Sequence, residues 1–331
     1  MLNRFVFGLC LIALVAFIFQ EMGKAPSVTP YFLVGAPHAH EKALDGRGVA
    51  VAVLDEGFDS SHAFLKDKFS SLHRYNTAHK NSQDISETLV FENGAYTFES
   101  HGTHVSGIIL HLAPEAEIIP IKIEGAGGDQ TFVKALQHAA NSPAHIVNIS
   151  MRLSYTGREI SPNVRTALFQ LAQVGKLIVI AAGNDSAGLT EHPYTASLVE
   201  LSHHPLMKGR LLLVGASSYK NGTESLAEFS NFPGQNAFAM PQTYFITAPG
   251  DQIKSSVTGG LFAEKSGTSM AAPMVVGAAA LLKQAYPHLS SENIAQLLLK
   301  SARKIALDGK TLPHSQFGAG ILNLKGALEF K

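Results

Sequence analysis

Cysteine is all but missing: 331 residues contain one, Cys10, and it lies inside an apolar run near the N-terminus. Apolar residues continue after it, a poor setting for lipid attachment. Beyond that run the chain has no thiol, which excludes disulfides and a cysteine nucleophile from the rest of the chain. An excess of one charge is missing too, since Lys+Arg and Asp+Glu stand at 26 each with no basic run. A nucleic-acid partner is excluded on that ground, because such binding depends on neutralising phosphates. There is no internal repeat and no low-complexity tract. No apolar run reaches the length that spans a bilayer comfortably; the longest near the N-terminus, Phe5 to Phe19, has 15 residues. What remains is a globular chain with 46% hydrophobic residues, whose length suits one large α/β domain or two modest ones with a substantial core.

Residues 1–25 differ in kind from the rest. Arg4 precedes the run Phe5–Phe19, and small residues stand at Gly23 and Ala25. A basic start, an apolar centre and small residues at the end make a secretory signal. The expectation is therefore an exported protein, secreted or periplasmic. A membrane anchor over residues 5–19 is the alternative if the segment is kept. Residues 26–44 follow as a short lead-in with weak periodicity, and residues 45–331 are expected as one domain and a monomer.

The most informative stretch is Gly267-Thr268-Ser269-Met270-Ala271-Ala272-Pro273, which continues to Leu282 without one charged or polar side chain after Ser269. A surface helix would show a polar face each turn, so this one is expected to be buried on all sides. Thr268 is expected as its N-cap. Ser269 then sits where free N–H groups and the positive dipole end favour a developing negative charge, a natural place for a nucleophile. Pro273 removes an N–H that would otherwise bond back near Ser269. Read alone, the segment fits a capped core helix equally well.

Upstream, Val49 to Leu54 is a continuous β-favouring run ending in Asp55. Runs of this kind suit strands covered on both faces, and ligands gather beyond the carboxyl ends of such strands. His101-Gly102-Thr103-His104 opens an apolar helical run. The two histidines, three apart, are not followed by a Glu in zinc-protease register, and no third ligand is evident, so no metal is expected. Further strands are expected at 116–123, 144–150, 176–182 and 211–216, with helices over 131–140, 164–174, 270–282 and 287–302. The alternation predicts a doubly wound, mostly parallel sheet flanked by helices. Residues 186–210, rich in His and Pro, are expected as an insertion over the surface, and residues 56–100 as polar and irregular.

In chain order the singled-out residues are Asp55, His101, Asn184 and Ser269. Val53-Leu54-Asp55, His101-Gly102-Thr103-His104-Val105, Ala181-Ala182-Gly183-Asn184 and Gly267-to-Pro273 resemble the four signature blocks of the subtilisin-like (subtilase) serine proteases. Phe229-Ser230-Asn231, Ala248-Pro249-Gly250 and Gly318-to-Asn323 resemble that family as well, and the similarity runs over roughly residues 45–328. The resemblance implies a subtilisin-like three-layer fold and a serine endopeptidase without a cofactor. Ser269 would be the nucleophile, His101 the base, Asp55 its orienting partner and Asn184 an oxyanion donor, while His104 would be structural. It further implies a polypeptide substrate held as an added strand between Gly125–Gly127 and Ser150–Arg152, with Gly183 also at the substrate.

The chain departs from the family at Glu56, where a second carboxylate follows Asp55, and at Ser150-Met151-Arg152-Leu153, which puts a large cation at a cleft wall. An inert, peptide-binding relative is the competing reading that these departures keep open; an esterase or acyl transferase using the same triad is a third. The loop that forms the high-affinity calcium site in secreted relatives is absent after His101, leaving calcium dependence open. The 26–44 segment is too short for the folding-assistant prodomain of many relatives.

Overall fold

Period-two burial decides the architecture. The computed structural model describes residues 28–330 apart from 79–82, 93–94, 125–127, 155–157, 236–239, 305–308 and 312–313; the signal expected over 1–25 lies outside them, as do Gly125 and Gly127. In chain order the elements are α1 (Val28–Leu33), α2 (Ala36–Glu41), β1 (Ala50–Asp55), β2 (Tyr75–Asn76), β3 (Leu89–Glu92), β4 (Ala95–Phe98), α3 (His101–Leu112) and β5 (Glu117–Lys122). Next come α4 (Asp129–Asn141), β6 (Ile146–Ile149), α5 (Pro162–Gln173), β7 (Leu177–Ala181), α6 (Pro193–His203), β8 (Leu211–Lys220) and β9 (Thr223–Leu226). The chain closes with β10 (Phe245–Pro249), β11 (Ile253–Val257), β12 (Leu261–Lys265), α7 (Thr268–Ala285), α8 (Ser291–Ser301), α9 (His314–Phe317) and α10 (Leu324–Glu329).

One eight-stranded sheet runs β10-β8-β7-β6-β1-β5-β2 with all neighbours parallel, and β9 adds to β8 antiparallel. Along β1, Val51 and Val53 enter the core that contains α3 and α7, whereas Ala50, Ala52 and Leu54 enter the core of α4, α5 and α6. Strand β7 divides likewise, Leu177 and Val179 on one side and Ile178 and Ile180 on the other. Helices therefore cover both faces, as the strand–helix alternation implies: the sheet is doubly wound and mostly parallel. The chain leaves β1 through β2 and β5 on one side, then crosses to β6 on the other. Strand β1 is thus the switch point, where a crevice opens beyond the carboxyl ends.

One expectation is corrected. Residues 186–210 are no insertion over the surface: α6 starts on Pro193, which suits a first-turn position, and buries Tyr194, Leu198, Val199 and Leu201. The described part of the 26–44 lead-in is folded onto the body. Tyr31, Val34, Ala36 and Ala39 are buried with α7, the Leu324 N–H donates to the Val34 carbonyl at 2.8 Å, and a His40 ring nitrogen meets the Leu112 carbonyl at 2.8 Å. Residues 56–100 also contain the β3–β4 hairpin. Among the described residues no helix is long and apolar enough to cross a membrane.

Candidate active site

Strand parity and two helix starts bring the polar residues together. Asp55 ends β1 in phase with Val51 and Val53, so its side chain faces the α3/α7 layer, and it is fully buried. Helix α3 begins on His101, and His101 Nδ1 lies 2.9 Å from both Asp55 carboxylate oxygens. The Glu56 N–H donates to Asp55 Oδ1 at 2.9 Å, fixing the carboxylate's plane. Gly102 makes the approach possible: a Cβ there would stand 2.3 Å from the Gly57 carbonyl and 2.9 Å from Asp55 Cβ. With 21% of its side chain exposed, the His101 ring is open to a bound molecule. Burial pulls its pKa down, but the charge and hydrogen bond of Asp55 outweigh that, and the net direction is up.

The second histidine behaves differently. His104 is fully buried, its Nε2 meets the Ala263 carbonyl at 3.1 Å, and burial pushes its pKa down to about 3. It stays neutral where His101 titrates, which fits packing rather than proton transfer.

Beyond β6, next to β1 in the sheet, Ser150 is the joint between sheet and α7. The Ser269 hydroxyl donates to the Ser150 carbonyl at 3.0 Å, and the Ser150 hydroxyl donates to the Ser269 carbonyl at 3.1 Å. That carbonyl is free because Pro273, four residues on, has no N–H to give it. Asn148 completes the chain by donating Nδ2 to Ser150 Oγ at 3.0 Å. Since Leu54 pairs with Ile149, Asp55 and Ser150 are lateral neighbours about 5 Å apart. Asp55, His101, Ser150 and Ser269 thus share one sheet edge. No hydrogen bond joins Ser269 to His101; the hydroxyl is turned to Ser150 instead.

Asn184 follows β7, the next strand over. Here the expected cap is corrected: α7 already starts at Thr268, with Gly267 before it, and the Thr268 hydroxyl caps nothing. It accepts from the Gly183 N–H at 3.1 Å and donates to Asn184 Oδ1 at 2.9 Å, while the Thr268 N–H donates to the same oxygen at 2.8 Å. Two donors on Oδ1 force Asn184 Nδ2 to face the other way, and it has no partner among the described residues. The N–H of Ser269, in the first helical turn, has no intrahelical acceptor either. Gly183 adopts φ 102°, and a Cβ there would lie 2.6 Å from Asn231 Nδ2. Asn231 is buried and ties the loop together, donating to the Ala182 carbonyl and accepting from the Asp185 and Ala187 N–H groups.

A cleft of about 730 Å³ opens between Lys122–Glu124 and Met151–Ser154, with Glu87 and Glu56, the residue after Asp55, on its wall. Arg152 lines it, but its charge is compensated: Nη2 lies 2.6 Å from both oxygens of Asp185, and the guanidinium sits 5.7 Å from the Tyr194 ring centre. Glu56 has its carboxyl lifted first by burial, then by the charges of Asp55 and Glu99.

Sequence reasoning missed three contributors. Asn148 was detectable as the one polar residue within Ile146-Val147-Asn148-Ile149. Glu87 accepts from the Ser100 N–H at 3.1 Å and from the Thr103 hydroxyl, holding the start of α3, yet it sits in an unpatterned segment. Asp185, the counter-ion of Arg152, carried no signal at all. Among the described residues no group of three or more His, Cys, Asp or Glu is placed to hold a metal ion.

Ser150→Ala is expected to leave the Ser269 carbonyl and the Asn148 amide buried without partners, at a cost of about 1–3 kcal/mol. Urea unfolding measures it; a change under a few tenths of a kcal/mol would contradict a joint between sheet and helix at Ser150.

The family model described as the Subtilase family matches residues 46–320. Subtilisin Savinase of Lederbergia lenta is 30% identical over 306 residues, covering 89% of this chain and 96% of its own. The major intracellular serine protease of Bacillus subtilis (strain 168) is 29% identical over 294 residues, covering 85% and 81%. The crystal structure of fervidolysin from Fervidobacterium pennivorans, described as a keratinolytic enzyme related to subtilisin, superposes with a TM-score of 0.68 at 24% identity. It covers 94% of this chain, which spans about half (49%) of that longer protein, and the likeness is one of fold. Taken with the matched model, these similarities establish that the chain belongs to the subtilase family of serine endopeptidases.

Proposed function

We propose that this chain hydrolyses peptide bonds through an acyl-enzyme intermediate, with Ser269 as nucleophile, His101 as general base then acid, and Asp55 as the group that orients the imidazole. The observation that carries the reading is the pair of 2.9 Å contacts from His101 Nδ1 to a fully buried Asp55. On this reading they hold the proton on Nδ1 and leave Nε2 unprotonated, the tautomer a base needs. The reading requires the Ser269 hydroxyl to leave the Ser150 carbonyl for His101; a change of χ1 between staggered wells costs little, and catalytic bonds commonly tighten only on substrate binding. The Ser150 carbonyl is then released for the substrate backbone.

Attack at the scissile carbonyl places negative charge on its oxygen. The donors proposed for it are Asn184 Nδ2 and the Ser269 N–H, both without another partner among the described residues, and the positive end of the α7 dipole adds to them. His101 then hands its proton to the leaving amine, water repeats the sequence, and the acid is released. An extended peptide fits the cleft between Lys122–Glu124 and Met151–Ser154, where strand-like pairing would hold it, with Gly125, Gly127, Ser150, Arg152 and Gly183 as the proposed contacts. Export by residues 1–25 belongs to the same proposal.

Digestion of casein and of a peptide library by the purified protein, beside fluorophosphonate labelling, tests this. Cleavage with labelling supports a protease; labelling with ester but no peptide hydrolysis would favour an esterase, and neither would favour an inert peptide-binding relative. Asn184→Ala is expected to lower kcat by about a hundred- to thousandfold with little change in KM, the scale known for the corresponding donor of subtilisin. A dominant KM effect would remove Asn184 from the oxyanion role.

A further inference from the structure

At the opposite edge of the sheet three basic residues stand immediately before three adjacent parallel strands: His145 before β6, Lys176 before β7 and Arg210 before β8. With Lys283 from the last turn of α7, and Ser290 and Ser291 at the start of α8, they line a pocket of about 350 Å³ that has no carboxylate in its wall among the described residues. Each basic group is anchored by neutral partners. Lys176 Nζ donates to the Ser142 carbonyl at 2.8 Å, Arg210 Nη1 to the Ala172 carbonyl at 2.9 Å, and Lys283 Nζ to the Pro287 and Leu289 carbonyls at 2.8 and 2.9 Å. Arg210 Nε is buried with no partner among the described residues. His145 Nδ1 accepts the Ala50 N–H at 3.2 Å, so its proton must sit on Nε2, which is left as a further donor. Glu292, in the first turn of α8, is not among the residues that line the pocket.

Half-buried like charges without counter-ions raise one another's energy, and a multivalent anion among them would reverse the sign of that cost. Burial holds the Lys176 ammonium below its ordinary value, and burial followed by the charges of Lys283 and Lys176 does the same for His145. The first turn of α8 adds unpaired N–H groups and a positive dipole end on the rim. We propose that this pocket binds a small tetrahedral oxyanion, of the phosphate or sulfate class, held by Lys176, Arg210, Lys283 and His145 Nε2–H. Helix α7 carries Ser269 at one end and Lys283 at the other, about 21 Å apart at 1.5 Å per residue, so the pocket is separate from the active site and its existence does not depend on the proposed catalysis.

Isothermal titration of inorganic phosphate into the full chain carrying Ser269→Ala, which prevents self-digestion, tests it at constant ionic strength. Saturable one-site binding is expected, and Lys176→Gln and Arg210→Gln should each raise Kd roughly ten- to hundredfold. Circular dichroism in chloride identifies a variant that fails to fold, in which case Lys283→Gln replaces it. Heat that does not saturate, an effect reproduced by chloride at the same ionic strength, or unchanged affinity in the folded variants would each overturn the site.

Discussion

Ser269→Ala is expected to lower kcat on peptide substrates by on the order of a millionfold with KM little changed, a scale known from subtilisin. The size follows from how completely the chain is arranged around that hydroxyl. Helix α7 is buried from Met270 to Leu282, so its first turn cannot shift, and the Ser150 bonds lock Ser269 to the sheet edge. Ser150, the hydroxyl bonded to this residue's backbone, is spent on the Ser269 carbonyl and does not stand ready to take over. The remaining activity should be that of a cleft with an oxyanion site and no nucleophile. Steady-state hydrolysis with active-site titration measures it. A loss of only tenfold would mean that another group performs the attack.

Asp55→Asn should cost about ten-thousandfold in kcat while leaving the fold intact, and the contacts at Asp55 give the reason. Oδ1 already accepts the Glu56 N–H, so an asparagine there would keep its carbonyl oxygen on that donor and turn its NH₂ towards His101. The imidazole would then have to accept at Nδ1 and hold its proton on Nε2, where it cannot act as a base. The acid side changes as well. Asp55 is what lifts the His101 pKa against the downward effect of burial, so the protein as it stands should lose kcat/KM as pH falls through a value above the ordinary 6.5 or so of histidine, because imidazolium cannot take a proton. In the variant that limb should move to lower pH. Rate profiles of both proteins check this, and a limb at the same pH in each would show that Asp55 does not set the His101 titration.

How much of this was legible in the residues depends on how each one signals. Asp55, His101, Asn184 and Ser269 each border a long apolar element, and apolar period is the strongest signal a sequence carries. The parallel sheet followed from the same runs. Thr268 misled because a threonine before an apolar helix reads as a cap; the helix begins one residue earlier, and the hydroxyl is drawn away by Asn184. Helix α6 was obscured by His192, Pro193 and the His203-His204-Pro205 end, although Tyr194, Leu198 and Leu201 keep helical spacing and Pro193 suits a helix start. The short helices α1 and α2 owe their order to the body they pack on, which local sequence does not encode. Arg152 was legible as a cation at the cleft but not as half of an ion pair, because Asp185 is brought to it only by the turn after β7. The His101–Asp55 contact itself required the sheet: parity along β1 and the start of α3 meet only in three dimensions.

The most direct measurement is the pH dependence of fluorophosphonate labelling, with the modified residue identified by mass spectrometry of the digested protein. The expected result is one adduct, on Ser269, forming at a rate that falls as His101 takes up a proton, and nearly abolished in Asp55→Asn. An adduct on another residue, or labelling of Ser269 at a rate indifferent to pH, would contradict the assignment of His101 and Asp55 as the groups that activate it.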